Sequence, residues 1–240
     1  MKKKGQVTIF IIIAILLVSI IVIFFLFRNS LNSNLLTHDN EEIYIFVESC
    51  IEETIEEGIF FISSRGGYFD LPRTYFEESI PTSYWTYCRD VSPEISLVEK
   101  ELSKYLENQL QYCVNSRDFK NKEVFFGKKN ADIKIKGNTF FIELQMPTSI
   151  NIENYSELKE EYSIEMYDFL LLPSFNISKE YLDEIKKDSN NLHLTSFFNI
   201  ADEKDFDVSI DSYEEKEYLI QLNSRKEENY FFNFAVRLEC

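Results

Sequence analysis

Residues 40–67 read NEEIYIFVESCIEETIEEGIFFISSRGG, and their periodicity sets the frame for the chain around them. Ile43, Val47, Cys50, Ile51, Ile55, Ile59 and Ile62 recur at helical spacing, while Glu41, Glu48, Glu52 and Glu56 fall on another face. That pattern predicts an amphipathic helix from about 40 to 64. Asp39 followed three residues later by Glu42 fits a capping box at its start. Gly66 or Gly67 can take the left-handed conformation that ends a helix. Glu52, Glu53, Glu56 and Glu57 have the spacing of paired carboxylates, but on such a helix they read as a solvated face.

Further on, Ser92 and Pro93 read as N-cap and first helical residue of a second helix. Its apolar face carries Ile95, Val98, Leu102, Tyr105, Leu106, Leu110 and Cys113. The stretch between the two, residues 68–93, reads as a long loop with three prolines. Its Tyr75, Tyr84, Trp85 and Tyr87 either fasten the loop to the core or stack on a sugar or a partner. Two helices of similar length joined by a loop pack antiparallel. Cys50, near the start of the first, then meets Cys113, near the end of the second, so a Cys50–Cys113 disulfide is expected; the alternative is two reduced cysteines acting as small core residues. Cys88 and Cys240 stay unassigned, since four cysteines allow three complete pairings.

After residue 122 the period changes from helical to alternating. DIKIKGNTFFIELQM, residues 132–146, places apolar side chains on alternate positions either side of Gly137-Asn138, which predicts a β-hairpin ended by Pro147. Residues 157–172 fit either a strand or a helix. Ser178 reads as the cap of a helix of about ten residues ending at Lys187. From Asp207 to the end, the chain reads as three antiparallel strands.

The N-terminus is of another kind. Val7–Phe27 holds 21 residues without charge or proline, a helix of about 31 Å at ~1.5 Å per residue, against a bilayer core of about 30 Å. It is longer than the apolar part of a secretory signal and has no small-residue cleavage site, so it reads as a retained anchor. Lys2, Lys3 and Lys4 precede it and only Arg28 follows closely, which puts the N-terminus in the cytoplasm. The expected fold class is α+β: an N-terminal transmembrane helix, an antiparallel helix pair, then an antiparallel β-sheet domain. The expected segments are a basic leader at 1–5, an anchor at 6–28, a stalk at 29–39, a helical hairpin with a long loop at 40–120, and an α+β domain at 121–240.

The residues KKKGQVT, 2–8, resemble the class III signal peptides of archaeal type IV pilin-like proteins. The resemblance implies cleavage between Gly5 and Gln6 by a prepilin-type peptidase, with the apolar segment left attached. An ordinary anchor flanked by lysines is the competing reading. Where that family often carries a Glu, this chain has Phe10, which shifts weight from a filament subunit towards an anchor or minor component. The outer part resembles a group of uncharacterised archaeal single-pass surface proteins, through VESCIEETIEEG, the GGY after it, QYCVN and the terminal YFFNFAV. Cys88 and Cys240 depart from that pattern.

None of the 41 acidic residues lies at or before Arg28, whereas four of the 25 basic ones do, so the remainder carries a formal charge of −20. Nucleic acid, which requires a basic footprint, is excluded as a partner. Membrane lipid around the N-terminal helix and protein partners in a surface assembly are the expected contacts. The histidines, His38 and His193, stand in the stalk and in an expected strand, with no catalytic motif beside either. Asp202, Glu203, Asp205, Asp207 and Asp211 could gather around Ca²⁺, but read as a solvated acidic turn. No catalytic, cofactor or metal residue is assigned. The chain therefore reads as a non-enzymatic, membrane-anchored extracytoplasmic surface protein, pilin-like or an accessory subunit of a surface assembly. The alternative is a membrane-tethered enzyme with an unrecognised site.

Overall fold

The amphipathic segment forms helix α1 over residues 40–64 in the computed structural model, which describes residues 40–238 apart from 116, 118, 120, 121, 153, 154 and 188–191. Cys50, Ile51, Ile55, Ile59 and Ile62 are buried on one face, while Glu52, Glu53, Glu56 and Glu57 are exposed. The helix ends in a Schellman motif. The Gly67 amide donates to the Ile62 carbonyl (2.7 Å) and the Gly66 amide to that of Ser63 (3.4 Å), with φ of +72° at Gly66 and +91° at Gly67. Only glycine enters that region without steric cost. The proposed N-cap, Asp39, lies outside the described residues.

The carbonyl of Gly66 then accepts the indole Nε1–H of Trp85 (3.0 Å) and the Ser83 hydroxyl (3.2 Å). Both donors sit on strand β2 (Thr82–Tyr87), preceded by the short β1 (Tyr75–Phe76). Helix α2 (Ile95–Val114) follows and runs antiparallel to α1. Cys50 and Cys113 approach to 5.6 Å between Cα atoms. Eight residues further along α1, a Cβ on Gly58 would stand 2.7 Å from the Tyr105 ring and 2.8 Å from Leu102, so the absent side chain permits the close approach.

The next part of the chain is β3 (Glu123–Phe126), β4 (Asn130–Lys136), β5 (Thr139–Ile152) and β6 (Tyr155–Tyr167). Strand β5 pairs with β6 along one side and, along the other, first with β4 and then with β3, all antiparallel. The hairpin turn is Gly137-Asn138 as expected, with φ +58° at Gly137. Pro147 does not end the strand; it sits in a bulge. Having no N–H, it breaks the ladder, so register shifts between Gln145 and Thr148 and the facing strand splits into β3 and β4. Gly127 bridges the split by donating its amide to the Pro147 carbonyl at 2.8 Å.

Helix α2 lies along the open edge of β4. The amides of Ile135, Ile133 and Ala131 donate to Glu99 Oε1 (2.8 Å), Ser103 Oγ (3.2 Å) and Glu107 Oε1 (2.8 Å). Every fourth helix residue meets every second strand residue, because four helical residues rise about 6 Å and two strand residues about 6.6 Å. An edge that would otherwise offer unpaired donors is thereby closed.

The remaining elements are α3 (Leu171–Lys187), α4 (Leu194–Asp202), β7 (Phe206–Ser212), β8 (Glu217–Ser224) and β9 (Phe231–Arg237). A second sheet has the order β1-β2-β9-β8-β7, with β2 parallel to β9 and the other pairs antiparallel. Trp85, fully buried, packs its ring against Phe175, Phe232 and Phe234 at centroid distances of 5.2, 5.5 and 5.1 Å. Tyr181 of α3 stacks on Phe197 of α4 at 3.7 Å. The buried Tyr230 hydroxyl joins Ser63 (3.1 Å) and Ser174 (2.8 Å), tying the end of α1 to α3.

Several expectations are corrected. The protein is α+β with four described helices and two sheets, one of them mixed, rather than a transmembrane helix, a helix pair and a purely antiparallel sheet domain. No helix among the described residues is long and apolar enough to cross a membrane; Val7–Phe27 lies outside them. The loop at 68–93 contributes β1 and β2, because TSYWTY is rich in β-formers between its prolines. Helix α3 begins at Leu171, with Pro173 tolerated in its first turn, and Ser178 bonds back to the Ser174 carbonyl (2.9 Å) instead of capping. Helix α2 has Glu94 as N-cap. Ser92 instead joins Asp90, which accepts its amide (2.9 Å) and hydroxyl (2.6 Å).

Two outcomes follow from these contacts. Gly66→Ala places a Cβ at φ +72°, 2.4 Å from Ser83 Oγ, and should cost about 2–4 kcal/mol from backbone strain and overpacking; denaturant unfolding measures it, and an unchanged midpoint would contradict the junction. Ser103→Ala leaves the Ile133 amide without its acceptor, so hydrogen exchange at Ile133 should quicken more than at the ladder amides of β5.

Candidate functional site

The carboxylates that are buried are not the ones whose spacing suggested chemistry. Glu99, Glu101 and Glu217 are 9, 3 and 6 % exposed. Glu99 holds the Ile135 amide. Glu101 Oε2 accepts the amides of Phe69 (3.1 Å) and Asp70 (2.8 Å), and its Oε1 pairs with Lys104 at 2.6 Å. Glu99 and Glu101 thus serve backbone donors, while Glu217 accepts the Tyr84 hydroxyl. The sequence carries a signal for the row on α2: Glu99, Ser103 and Glu107 recur at four-residue steps ahead of an alternating strand.

Three of the five acids of the turn are paired from the opposite hairpin. Arg225 reaches Asp202 and Asp207 at 2.7 Å each, and Lys226 reaches Asp205 at 2.8 Å. The described residues hold no group of three or more His, Cys, Asp or Glu suited to a metal ion. His193 is not on a strand; it stands at the N-terminus of α4, with Nε2 buried and no hydrogen-bond partner among the described residues. Gly5, Gln6 and His38 lie outside those residues.

The Cys50–Cys113 disulfide is present. With a sequence separation of 63, it stabilises by about 4 kcal/mol in the chain-entropy account. Cys88 is also disulfide-bonded, to a partner outside the described residues.

Two concave surfaces stand out among the described residues. A broad apolar one of about 660 Å³ is lined chiefly by Phe60, Phe61, Ile80, Pro81, Tyr105 and Phe231. A narrower one of about 270 Å³ is formed by Tyr68, Arg73, Thr74, Tyr84, Tyr87 and Arg89, with Pro72 and Val91. Of the aromatics in that loop, Trp85 and Tyr84 are buried and fasten it to the core, Tyr87 is half-buried and lines the narrow cavity, and Tyr75 is exposed.

One wall of the narrow cavity is rigidly made. The Tyr84 hydroxyl donates a short hydrogen bond to Glu217, Arg237 lies 3.8 Å from the same carboxylate, and the Arg237 guanidinium covers the Tyr87 ring at 5.6 Å. Tyr87 in turn meets the Tyr84 ring edge-on at 5.1 Å. The facing groups are different. Arg73 and Arg89 are exposed, and their guanidinium groups have no hydrogen bond or ion pair among the described residues. The half-buried Tyr68 hydroxyl and that of Thr74 are equally uncommitted.

Burial raises the phenols of Tyr84, Tyr181 and Tyr230, and pushes that of Tyr162 up to about 12. Unfolded phenols ionise near pH 10. A group with a raised folded pKa contributes stability that is complete below its unfolded pKa and is lost as pH climbs through the folded one. Stability should therefore hold up to about pH 10 and fall above it. Ultraviolet titration should show a set of tyrosines that ionise only as the fold is lost; all 14 tyrosines titrating together near pH 10 with the fold intact would contradict this.

Comparison with family models, curated proteins and solved structures finds no match for this chain.

Proposed function

We propose that this chain is a non-enzymatic protein held at a membrane by its N-terminal apolar segment. Its remainder lies outside the cytoplasm and works by binding or by assembly with a partner, as a pilin-like or accessory component of a surface structure. The observation that carries the reading is the cross-linking: Cys50–Cys113 is closed and Cys88 is bonded. Disulfides persist in oxidising compartments outside the cytoplasm. The charge-free run Val7–Phe27 behind Lys2, Lys3 and Lys4 supplies a means of reaching one. The commitment of Glu99 and Glu101 to backbone amides, of Glu217 to Tyr84, and of Asp202, Asp205 and Asp207 to Arg225 and Lys226 favours a binding role over acid–base work. A formal charge of −20 beyond Arg28 keeps such a surface soluble.

Protease added to intact cells that make the protein should trim it beyond Arg28 and leave a membrane-held N-terminal piece. Full protection until lysis would overturn the outside placement. Intact mass of the membrane form should lack Met1–Gly5; a retained lysine-rich start would remove the pilin-type route.

A further inference from the structure

The narrow cavity is a better-defined site than its size suggests, because its two arginines are unspent while the other arginines among the described residues are engaged. Arg225 and Arg237 lie against carboxylates, and Arg65 donates to the Phe69 carbonyl at 2.9 Å. Arg73 and Arg89 have no such partner among the described residues, although the chain carries 41 acidic residues against 25 basic ones. Two unpaired guanidinium groups at one cavity call for an anion, and the planar fork matches a carboxylate.

The rest of the lining narrows the class. Tyr87 offers part of a ring face held in place by the Tyr84–Glu217–Arg237 set, and apolar ring faces stack on the C–H faces of sugars. The Tyr68 and Thr74 hydroxyls, free to donate or accept, suit a ligand with several hydroxyls better than an aromatic acid. A volume of about 270 Å³ lies just below the roughly 300–1,000 Å³ of drug-sized sites, which is room for one ring. We infer that this cavity binds a single sugar ring bearing a carboxylate, with Arg73 and Arg89 on the carboxylate, Tyr87 against the ring, and Tyr68 and Thr74 on its hydroxyls. The inference does not depend on membrane attachment.

The test is calorimetry or ligand-observed NMR on the full chain, in micelles of an uncharged, sugar-free detergent. Glucuronate is the probe, with glucose and inorganic phosphate as controls. Glucuronate should bind with a Kd of about 1 mM, as expected for a one-ring ligand, and glucose should be at least about tenfold weaker for want of the charge-assisted bonds. The double variant Arg73→Ala/Arg89→Ala changes two exposed side chains, and its melting temperature checks that the fold is intact. It should lose at least about tenfold in affinity, and Tyr87→Ala should also weaken binding. The inference is overturned if glucuronate does not bind well above that concentration, if glucose binds equally, if the double variant binds unchanged, or if phosphate binds as tightly as glucuronate.

Discussion

The contact on which the rest of the molecule depends is the row of three side chains that α2 lays along the edge of β4. Glu99, Ser103 and Glu107 do for that edge what a further strand would do, at the matching pitch of helix and strand. The other side of α2 is bonded to α1 through Cys50–Cys113 and packed against Gly58. One helix thus serves as the joint between the α1 helix and the β3–β6 sheet. The opposite junction is smaller and equally specific: the Gly66 carbonyl, left over from the end of α1, receives Trp85 and Ser83 of the other sheet.

This arrangement explains where the acidic composition goes. Most carboxylates stay in water, but a few are drawn inward because the fold leaves backbone donors that need acceptors. An unmet buried amide costs about 1–3 kcal/mol, enough to hold a glutamate at low exposure. The buried acids are consequences of the architecture before they are candidates for anything else. The two uncommitted arginines at the narrow cavity contrast with them, since no demand of the fold accounts for their position.

Much of the helical part was legible because its signals are local. The three- and four-residue recurrence of isoleucines, the glycine pair after α1 and the Gly137-Asn138 turn each act within a few residues. The Cys50–Cys113 pairing needed only the further step that linked helices fold back on each other. Strand β2 was hidden because its partner, β9, lies about 150 residues away, and three nearby prolines argued for a loop. Pro147 misled for a related reason: a bulge is legible only once both neighbours of the strand are known. Helix α4 is too short for periodicity to separate it from a strand. The narrow cavity draws on residues from 68 to 91; the aromatics announced themselves, but which of them face inward depends on the pairing of β2 with β9.

The bond between Cys50 and Cys113 closes a ring of polypeptide that contains β1, β2 and the residues that line the narrow cavity. A single break anywhere between residues 51 and 112 leaves one covalent molecule, with both cut ends tethered to the folded body. While the disulfide stays oxidised, the exposed stretch 77–80 inside that ring can be nicked without being shed.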